Sequence, residues 1–311
     1  MDIPTLLRIS TVCVGLLANV ACGGDPTFRF LAIGDTPYSD EEEIRLRKIL
    51  KQSEKESFAF LIHVGDIQSS ATPCSDRVLD KMSDLFRNYP KPVVYSIGDN
   101  EWTDCHETGG NPIEQLAKLR RRFFHDGDVL RLQKLKTEHQ SNRAQFEPYI
   151  ENYRFTKSNV LFVVIHVCGS NNNRRTDDLA SMEEFADRSA ANLAFLKESC
   201  QIALEKQCVG VIIVMHADPD FENRQDEGFH DTIASLQDFV TEYQGPVVCI
   251  HGDSHRNEID QPLRNDGGDV CNNFTRIEVF SDVSGAPSAA GIVVTVAPND
   301  PKVFHFEPYI P

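Results

Sequence analysis

The sequence predicts an α/β fold with mixed β-sheets, because short apolar runs typical of buried strands alternate with amphipathic helices over most of the chain. Beyond residue 255 the pattern changes to strands joined by polar turns, without helices between them. In addition, five of the apolar runs end on a turn that carries an acid or a histidine. Since open α/β sheets bind ligands at the carboxyl ends of their strands, we expect these five ends to meet at one site.

The five strand ends carry oxygen and imidazole donors. They are FRFLAIGD ending at Asp35, FAFLIHVGD at Asp66, VVYSIGD at Asp99, VGVIIVMH at His216, and PVVCIHGDSH, which contains Asp253 and His255. Carboxylates and imidazoles together suit hard or borderline metal ions. The pattern therefore predicts a metal site.

Helices are expected between these runs. Two begin with capping boxes, Asp40 with Glu43 and Ser181 with Glu184, in which a short polar side chain and a later acid bond free backbone N–H groups. Pro112 suits the first turn of a third helix. The segments SDRVLDKMSDLFRNY and DTIASLQDFVTEYQ carry apolar residues at helical spacing.

Two further segments complete the predicted fold. The stretch from about 120 to 154 lacks periodicity, so we expect a long loop with some helix that overhangs the site. The tail runs FTRIEVF, GIVVTVA and KVFHFEP are expected to be strands. We expect residues 27–311 to form a single domain, because no linker or repeat interrupts them.

Composition narrows the classes of partner. The chain has 311 residues with a formal net charge of −16 and a pI near 5.0. Such a field repels nucleic-acid backbones and anionic membranes, so we expect neither as the main partner. A phosphorylated substrate would need local positive charge, which bound metal ions supply whatever the net charge of the protein.

The N-terminus resembles an export signal. After Arg8 comes ISTVCVGLLANVAC, which has signal-peptide length, ends in small residues, and is too short to span a bilayer. We interpret residues 1–24 as a signal peptide, or as a lipoprotein leader with Cys22 as the lipid acceptor. Both imply a secreted or periplasmic protein. The alternative is a helical or disordered N-terminus on a cytosolic enzyme.

The predicted export determines whether the cysteines can form disulfides. An exported protein permits disulfides, and the seven cysteines beyond the leader form no CxxC pair of the kind that binds structural zinc. Cys74 with Cys105 is the preferred bridge, because both lie in polar loops expected beside the site. Cys200 with Cys208 is the second choice.

The ordered motifs resemble those of the calcineurin-like metallophosphoesterase superfamily, which are GDxH, GDxxx, GNH[DE], a lone His and GHxH. The corresponding positions are Gly-Asp35, Gly-Asp66, Gly-Asp99-Asn-Glu, His216 and Gly-Asp253-Ser-His255, with features of the purple acid and alkaline phosphatase-like branches. The resemblance implies a four-layer α-β-β-α sandwich holding two metal ions, Mn, Fe or Zn. It also implies hydrolysis of a phosphomonoester or phosphodiester by a metal-activated water.

By the same resemblance, Asp66 is the bridging carboxylate and Asp35 the terminal ligand of the first ion. His216 matches the lone histidine ligand of the second ion, and His255 the last motif histidine. Asp99 stands where the family has asparagine, and Asp253 where it has histidine. Both are expected to be oxygen ligands, with His251 as the competitor of Asp253.

Two further family histidines are absent. Pro37 replaces the first, and Tyr38 follows it as either a metal ligand, loosely like the tyrosinate of the purple acid branch, or a ring at the pocket wall. Asn100 replaces the second, which usually protonates the leaving group or orients phosphate. Asn100 can contact substrate and donate a hydrogen bond, but it cannot supply a proton.

Other side chains are candidates for the missing roles. His106 is our first choice for the acid, because its loop begins at Asp99, although a solvated loop histidine is the alternative. His166 and Arg174 are candidates for substrate binding. Their structural alternatives are a hydrogen-bonded core histidine and a solvent-facing arginine.

Two functions are consistent with this pattern. The first is a secreted phosphoesterase acting on a phosphorylated small molecule or a lipid head group. The second is a metal-binding or interaction protein that has lost turnover, which Pro37 and Asn100 motivate. The added carboxylates Asp99 and Asp253 favour the enzyme, because a decaying site would lose ligands rather than exchange them.

Overall fold

Two β-sheets pack face to face between layers of helices in the computed structural model, which describes residues 25–279 and 290–310. The expected leader, residues 1–24, lies outside the described residues. The strands are β1 (Phe28–Ile33), β2 (Phe58–His63), β3 (Val93–Tyr95), β4 (Glu138–His139), β5 (Tyr153–Lys157), β6 (Val160–Val164), β7 (Gly210–Val214), β8 (Val247–His251), β9 (Ile259–Asp260), β10 (Phe274–Glu278), β11 (Ile292–Val296) and β12 (Phe304–Pro308).

The helices lie between the strands, as predicted. They are α1 (Asp40–Ser53), α2 (Asp76–Asn88), α3 (Pro112–Leu119), α4 (Gly127–Leu130), the single turn α5 (Gly169–Asn172), α6 (Leu179–Glu205) and α7 (His230–Glu242). In the described part of the chain, none of them has the length and apolar character needed to cross a membrane.

Both sheets are mixed, as the sequence predicts. The first has the order β12-β11-β1-β2-β3, in which β1, β2 and β3 are parallel and β11 and β12 antiparallel. The second has the order β4-β5-β6-β7-β8-β10-β9, with β6, β7, β8 and β10 parallel. The tail strands β10, β11 and β12 thus complete sheets begun by the α/β part of the chain.

The core has two parts, separated by the second sheet. Phe162 of β6 points between the sheets, where its ring lies 5.3 Å from that of Phe60 and stacks at 4.6 Å on that of Phe155. The alternate residues Leu161 and Val163 face the other way, toward α6 and α7. Both faces of the strand are covered, which explains its continuous apolar sequence. Helices α1 and α2 bury their apolar faces on the outer side of the first sheet.

Two helix starts differ from the prediction. Helix α1 is capped by Ser39, whose side chain accepts the N–H of Glu42, so the expected Asp40 and Glu43 box lies inside the first turn. Helix α6 is capped by Asp178, three residues before Ser181. In both cases an extended residue with a short polar side chain precedes the expected cap, and it bonds the first free N–H groups. The prediction for α3 is confirmed, with Pro112 in its first turn.

The segment from 120 to 154 packs beside the core rather than over the site. It forms a π-helical turn, α4, several 3-10 turns and β4 at the edge of the second sheet. The Arg120 guanidinium bonds the buried Glu151 carboxylate at 2.5 Å, and α4 packs on α2 and β3. These contacts replace the predicted overhang, because the segment's apolar residues complete the core at the end of α2.

Candidate metal centre

The ends of five parallel strands bring the predicted ligands together. Asp35, Asp66 and Asp99 follow β1, β2 and β3 of the first sheet, whereas His216 and Asp253 follow β7 and β8 of the second. Backbone hydrogen bonds join the loops, including Asp35 N–H to Gly65 O (3.0 Å) and Gly252 N–H to His216 O (2.9 Å). The expected convergence at one edge of the sandwich is observed.

Several of these side chains depend on an unusual backbone. Asp35, Asp66, Asp253 and His255 have φ of 53°, 56°, 79° and 58°, in the left-handed region. Aspartate tolerates this region better than most residues, and such conformations cluster at functional sites. The turn that ends each strand therefore aims its acid back across the sheet edge.

The glycines of the motifs allow close approach of the carboxylates. A Cβ on Gly98 would lie 2.3 Å from Asp66 Oδ1, and one on Gly252 would lie 2.2 Å from Asp35 Oδ2. Any side chain at either position would displace an acid. In these two Gly-Asp pairs, the glycine is thus explained by its contact with the aspartate of a neighbouring loop.

One side of the centre is formed by Asp35, Asp66, Tyr38 and His255, which we call the first-ion side. The Tyr38 hydroxyl donates to Asp66 Oδ2 at 2.8 Å and lies 3.1 Å from His255 Nε2. His255 Nε2 lies 3.6 Å from Asp35 Oδ1. Asp35 Oδ2 is buried and has no hydrogen-bond partner within the described chain, as expected of an oxygen that would coordinate a cation.

The other side is formed by Asp66, Asp99, His216 and Asp253, which we call the second-ion side. His216 Nε2 lies 2.9 Å from Asp99 Oδ1, 3.4 Å from Asp66 Oδ1 and 3.9 Å from Asp253 Oδ1. Donor atoms of Asp99, His216 and Asp253 lie within 4.8 Å of one another, as do those of Asp35, Asp66 and His216. Asp66 faces both sides, which suits a bridging carboxylate.

The ring of His216 is oriented by the first sheet. Its Nδ1 lies 2.8 Å from the carbonyl oxygen of Val64, to which it can donate a proton. That bond leaves the Nε2 lone pair directed at the carboxylates, and a histidine that binds metal commonly has its other nitrogen held in this way.

The electrostatics of the cluster favour bound cations. Burial, together with Asp99, raises the pKa of Asp253 to about 7, and burial also raises the pKa of Asp66 well above its usual range. The pKa of His216 lies well above its usual value despite burial, because Asp66, Asp99 and Asp253 attract a positive charge. The buried acids are thus short of positive charge, which two metal ions would supply.

Two predicted residues take specific positions beside the acids. Asn100 donates from Nδ2 to Asp66 Oδ2 at 2.6 Å, and its backbone N–H lies 3.2 Å from Asp66 Oδ1. Of the two competing ligands, Asp253 belongs to the cluster, whereas His251 is buried with its Nδ1 against the Gly252 carbonyl.

The predicted acid His106 lies outside the cluster of carboxylates. Its Nδ1 lies 2.7 Å from the Thr103 carbonyl, and its exposed ring lines a cavity of about 290 Å³ together with Asn111, Asn173 and Arg175. The carbonyl contact occupies Nδ1, which leaves Nε2 as the nitrogen able to exchange protons.

His166 and Arg174 do not fit the prediction that they bind substrate. His166 is 1% exposed, its Nδ1 lies 3.1 Å from a Glu151 oxygen, and its ring packs on Trp102 at 5.2 Å. Arg174 is paired with Glu227 at 2.6 Å. Burial explains the first, since the segment after β6 places His166 between Glu151 and Trp102, and ion pairing explains the second.

Sequence reasoning named neither Ser170 nor Asp104 as a site residue. The Ser170 hydroxyl lies 2.8 Å from Asp99 Oδ2 and 2.7 Å from Asp104 Oδ1, and Asp104 is nine-tenths buried. Burial, with Asp99 nearby, raises the pKa of Asp104 to about 6. Asp104 shares a loop with Asp99, which was a usable signal, but nothing in GSNNN marks Ser170.

The preferred disulfide is present and the second choice is not. Cys74 is bonded to Cys105, which joins the loop after β2 to the loop after β3, close to Asn100. Cys200 and Cys208 are free thiols. They are buried in the helix-covered face of the second sheet, where each packs as a small apolar side chain.

Comparison with known proteins agrees with this geometry. The family model for calcineurin-like phosphoesterases matches residues 28–257. Among solved structures, the chain is similar to the crystal structure of a dimetal phosphatase from Danio rerio, with a TM-score of 0.55. The two are 16% identical over 87% of this chain and 93% of that one, a likeness that shows a common fold. No curated protein matches the sequence.

Proposed function

The chain belongs to the calcineurin-like phosphoesterase family and is a metal-dependent phosphoric ester hydrolase, and we propose that it hydrolyses a phosphomonoester or phosphodiester at a dinuclear centre. The observation that carries the proposal is the pair of donor groups, Asp35 with Asp66 and Asp99 with Asp253, that both include His216. The family membership and the layered α/β fold predicted from the sequence are confirmed. Membership also favours the enzyme over a binding protein without turnover.

The described donors divide between two ions. Asp35, Asp66 and His255 would hold the first, with the Tyr38 hydroxyl donating to Asp66, and Asp66, Asp99, His216 and Asp253 would hold the second. Imidazole and carboxylate together favour Mn, Fe or Zn over Ca. When bound, the two ions would lower the pKa of a coordinated water and neutralise the phosphoryl oxygens.

The chain's own residues orient the reactants. Asn100 Nδ2 lies beside Asp66 and is placed to donate a hydrogen bond to a phosphoryl oxygen at the same position. Because Asn100 cannot supply a proton, we assign the protonation of the leaving group to His106 Nε2. Two observations support this assignment: His106 lies in the same loop as Asp99, and its Nδ1 is held by a contact with the Thr103 carbonyl.

The assignment of His106 is tested with leaving groups of different acidity. In His106→Ala, kcat for an alkyl phosphate should fall by roughly 100-fold, the usual range of acid catalysis, whereas a nitrophenyl phosphate needs no protonation and should be spared. His230→Ala, which alters another exposed histidine, at the start of α7, is the control. Equal losses on both substrates would remove His106 from the acid role.

We further propose that the enzyme is secreted or periplasmic and acts on a phosphorylated small molecule or lipid head group. The apolar N-terminal stretch and the Cys74–Cys105 bridge support export, because structural disulfides persist in oxidising compartments. The net charge of −16 disfavours nucleic-acid scaffolds. Location is tested by fractionating cells that express the tagged full chain.

The activity is tested on metal-stripped protein. Hydrolysis of mono-aryl and bis-aryl phosphates is measured as Mn²⁺, Zn²⁺ or Fe²⁺ is restored. Turnover that returns with metal supports the proposal and identifies the preferred ester. Turnover that is independent of metal, or absent with every metal on both esters and on a panel of phosphorylated metabolites and lipid head groups, would contradict it.

A further inference from the structure

A left-handed turn stands beside the second-ion side. Four consecutive non-glycine residues, Ser170 to Asn173, have φ of 50°, 52°, 55° and 59°. L-residues visit this conformation as single residues, because it costs roughly 1–2 kcal/mol per residue, and asparagine, which fills three of these four positions, tolerates it better than most. A run of four persists only where surrounding structure holds it, and such strain clusters at functional sites.

A buried arginine of α6 holds this turn. Arg188 is 0% exposed and donates from Nη1 to Asn172 Oδ1 at 2.6 Å and from Nη2 to the Asn172 carbonyl at 2.9 Å. It also donates to the His166 carbonyl at 2.8 Å and is paired with Glu184 at 2.6 Å. A planar guanidinium can make all of these bonds at once, whereas an ammonium cannot.

The same arginine contacts the loop that carries Asp99. Its guanidinium lies 5.4 Å from the centroid of the Trp102 ring, which is fully buried three residues after Asp99. The Thr103 hydroxyl donates to Asn173 Oδ1 at 2.8 Å, which links that loop to the turn directly. The turn and the Asp99 loop are therefore fixed relative to each other.

The turn presses two residues onto the acids of the second-ion side. The Ser170 hydroxyl lies 2.8 Å from Asp99 Oδ2, on the opposite oxygen from the one that faces His216. A Cβ on Gly169 would lie 2.6 Å from Asp99 Oδ2 and 2.7 Å from Asp253 Oδ1. Ser170 thus fixes the rotation of the Asp99 carboxylate, and Gly169 leaves room for both acids.

We propose that Ser170, held in place by Arg188 through the left-handed turn, is a positioning residue that sets the Asp99 carboxylate for the second metal ion. The inference rests on the proposed dinuclear centre, but it concerns metal binding and not turnover. A carboxylate held by a hydrogen bond on one oxygen presents the other in one orientation, which raises metal affinity.

The test titrates metal-stripped protein with Co²⁺, followed by calorimetry and visible absorption. Wild type should bind two ions, and Asp253→Asn identifies the binding step that belongs to the second-ion side. In Ser170→Ala this step should weaken by roughly 10- to 100-fold, the usual cost of losing a partner of a ligand, while the first ion binds as before. Ser83→Ala, which removes a hydroxyl from α2, is the matched control and should match wild type.

Two more variants distinguish the effect of the Ser170 hydroxyl on metal binding from the effect of the backbone conformation of the turn. Ser170→Gly also lacks the hydroxyl but accepts a left-handed backbone without strain, so it should weaken the second ion as Ser170→Ala does. Arg188→Lys should weaken the same step, because lysine cannot hold both Asn172 and the His166 carbonyl. Circular dichroism and thermal unfolding check that each variant is folded.

Each outcome is decisive. A normal second step in Ser170→Ala, wild-type affinity in Ser170→Gly, or equal weakening of both ions would overturn the positioning role. Fewer than two ions on wild type would overturn the dinuclear centre and the positioning role with it. Two ions without phosphoesterase turnover would refute the proposed function alone, and the Ser170 variants would still decide the inference.

Discussion

Replacing Gly98 with alanine should disable the centre while leaving the fold intact. The added Cβ would lie 2.3 Å from Asp66 Oδ1, 2.4 Å from the Asp66 backbone nitrogen and 2.9 Å from Glu101 Oε2. The first contact is roughly 1 Å shorter than ordinary van der Waals separation, and the second involves backbone, which cannot rotate away. Asp66 must therefore move, and it is the acid that faces both ion sides.

The magnitude follows from that displacement. A shift of about 1 Å in a catalytic group costs roughly 100-fold in rate, equivalent to about 2.7 kcal/mol in the barrier. Overpacking a tight site also costs about 1–3 kcal/mol of unfolding free energy. We therefore expect kcat/KM for an aryl phosphate to fall at least 100-fold, with weaker binding of both metal ions and a lower Tm.

The control for Gly98→Ala is Gly127→Ala. A Cβ at Gly127 would meet only Gln133 side-chain atoms, at 3.9 and 4.0 Å, at the start of α4. That variant should keep wild-type kcat/KM and gain or lose less than about 1 kcal/mol of stability. If Gly98→Ala retained wild-type metal content and activity, the packing account of the Gly-Asp motifs would be wrong.

Three other outcomes are expected. Asp66→Asn should stay folded but lose most bound metal and activity, because the acid that faces both ion sides loses its charge. Elemental analysis and kcat measure the two losses, and normal hydrolysis would refute the assignment of the site residues. Replacing Cys74 and Cys105 together by serine should lower unfolding free energy by about 2–4 kcal/mol in denaturant titrations, and reductant should then have no further effect. Burial, with nearby Arg188, lowers the pKa of His166 to about 4, so the folded state disfavours protonation. Its contribution to stability is complete above about pH 6.5 and is lost as pH falls toward 4, a loss that His166→Gln should reduce in urea midpoints; identical midpoints at every pH would contradict this.

The sequence predicted the strands and turns that are determined by residues close together in the chain. A continuous apolar run indicates a strand covered on both faces, and a Gly-Asp pair at its end indicates a turn that projects an acid. Asp35, Asp66 and Asp99 could therefore be placed at one sheet edge, as observed. Parallel strands then bring those ends together without any information on side-chain packing.

The residues that were missed depend on contacts between distant segments. Ser170 has its position because Arg188, 18 residues later on α6, holds the turn in a left-handed path, which asparagine tolerates but serine does not favour. His166 became a core residue because Glu151 and Trp102 enclose it. Helix caps were misplaced by a few residues, since several short polar side chains compete for each start.

Side chains at or beside two of the departures from the family motifs meet at one atom. Tyr38 stands one position after the proline that replaces the first motif histidine, and its hydroxyl donates to Asp66 Oδ2 at 2.8 Å. Asn100 replaces the second histidine, and its side chain donates to the same oxygen at 2.6 Å. Two neutral donors thus orient the acid that faces both ion sides, and Asp99 and Asp253 add two further anionic oxygens beside it. A centre that was decaying would lose such contacts independently, whereas here the substitutions supply one carboxylate with complementary partners. The altered motifs therefore keep the Asp66 carboxylate oriented, through Tyr38 and Asn100, without the two family histidines, which favours the proposed metal centre over a decayed one.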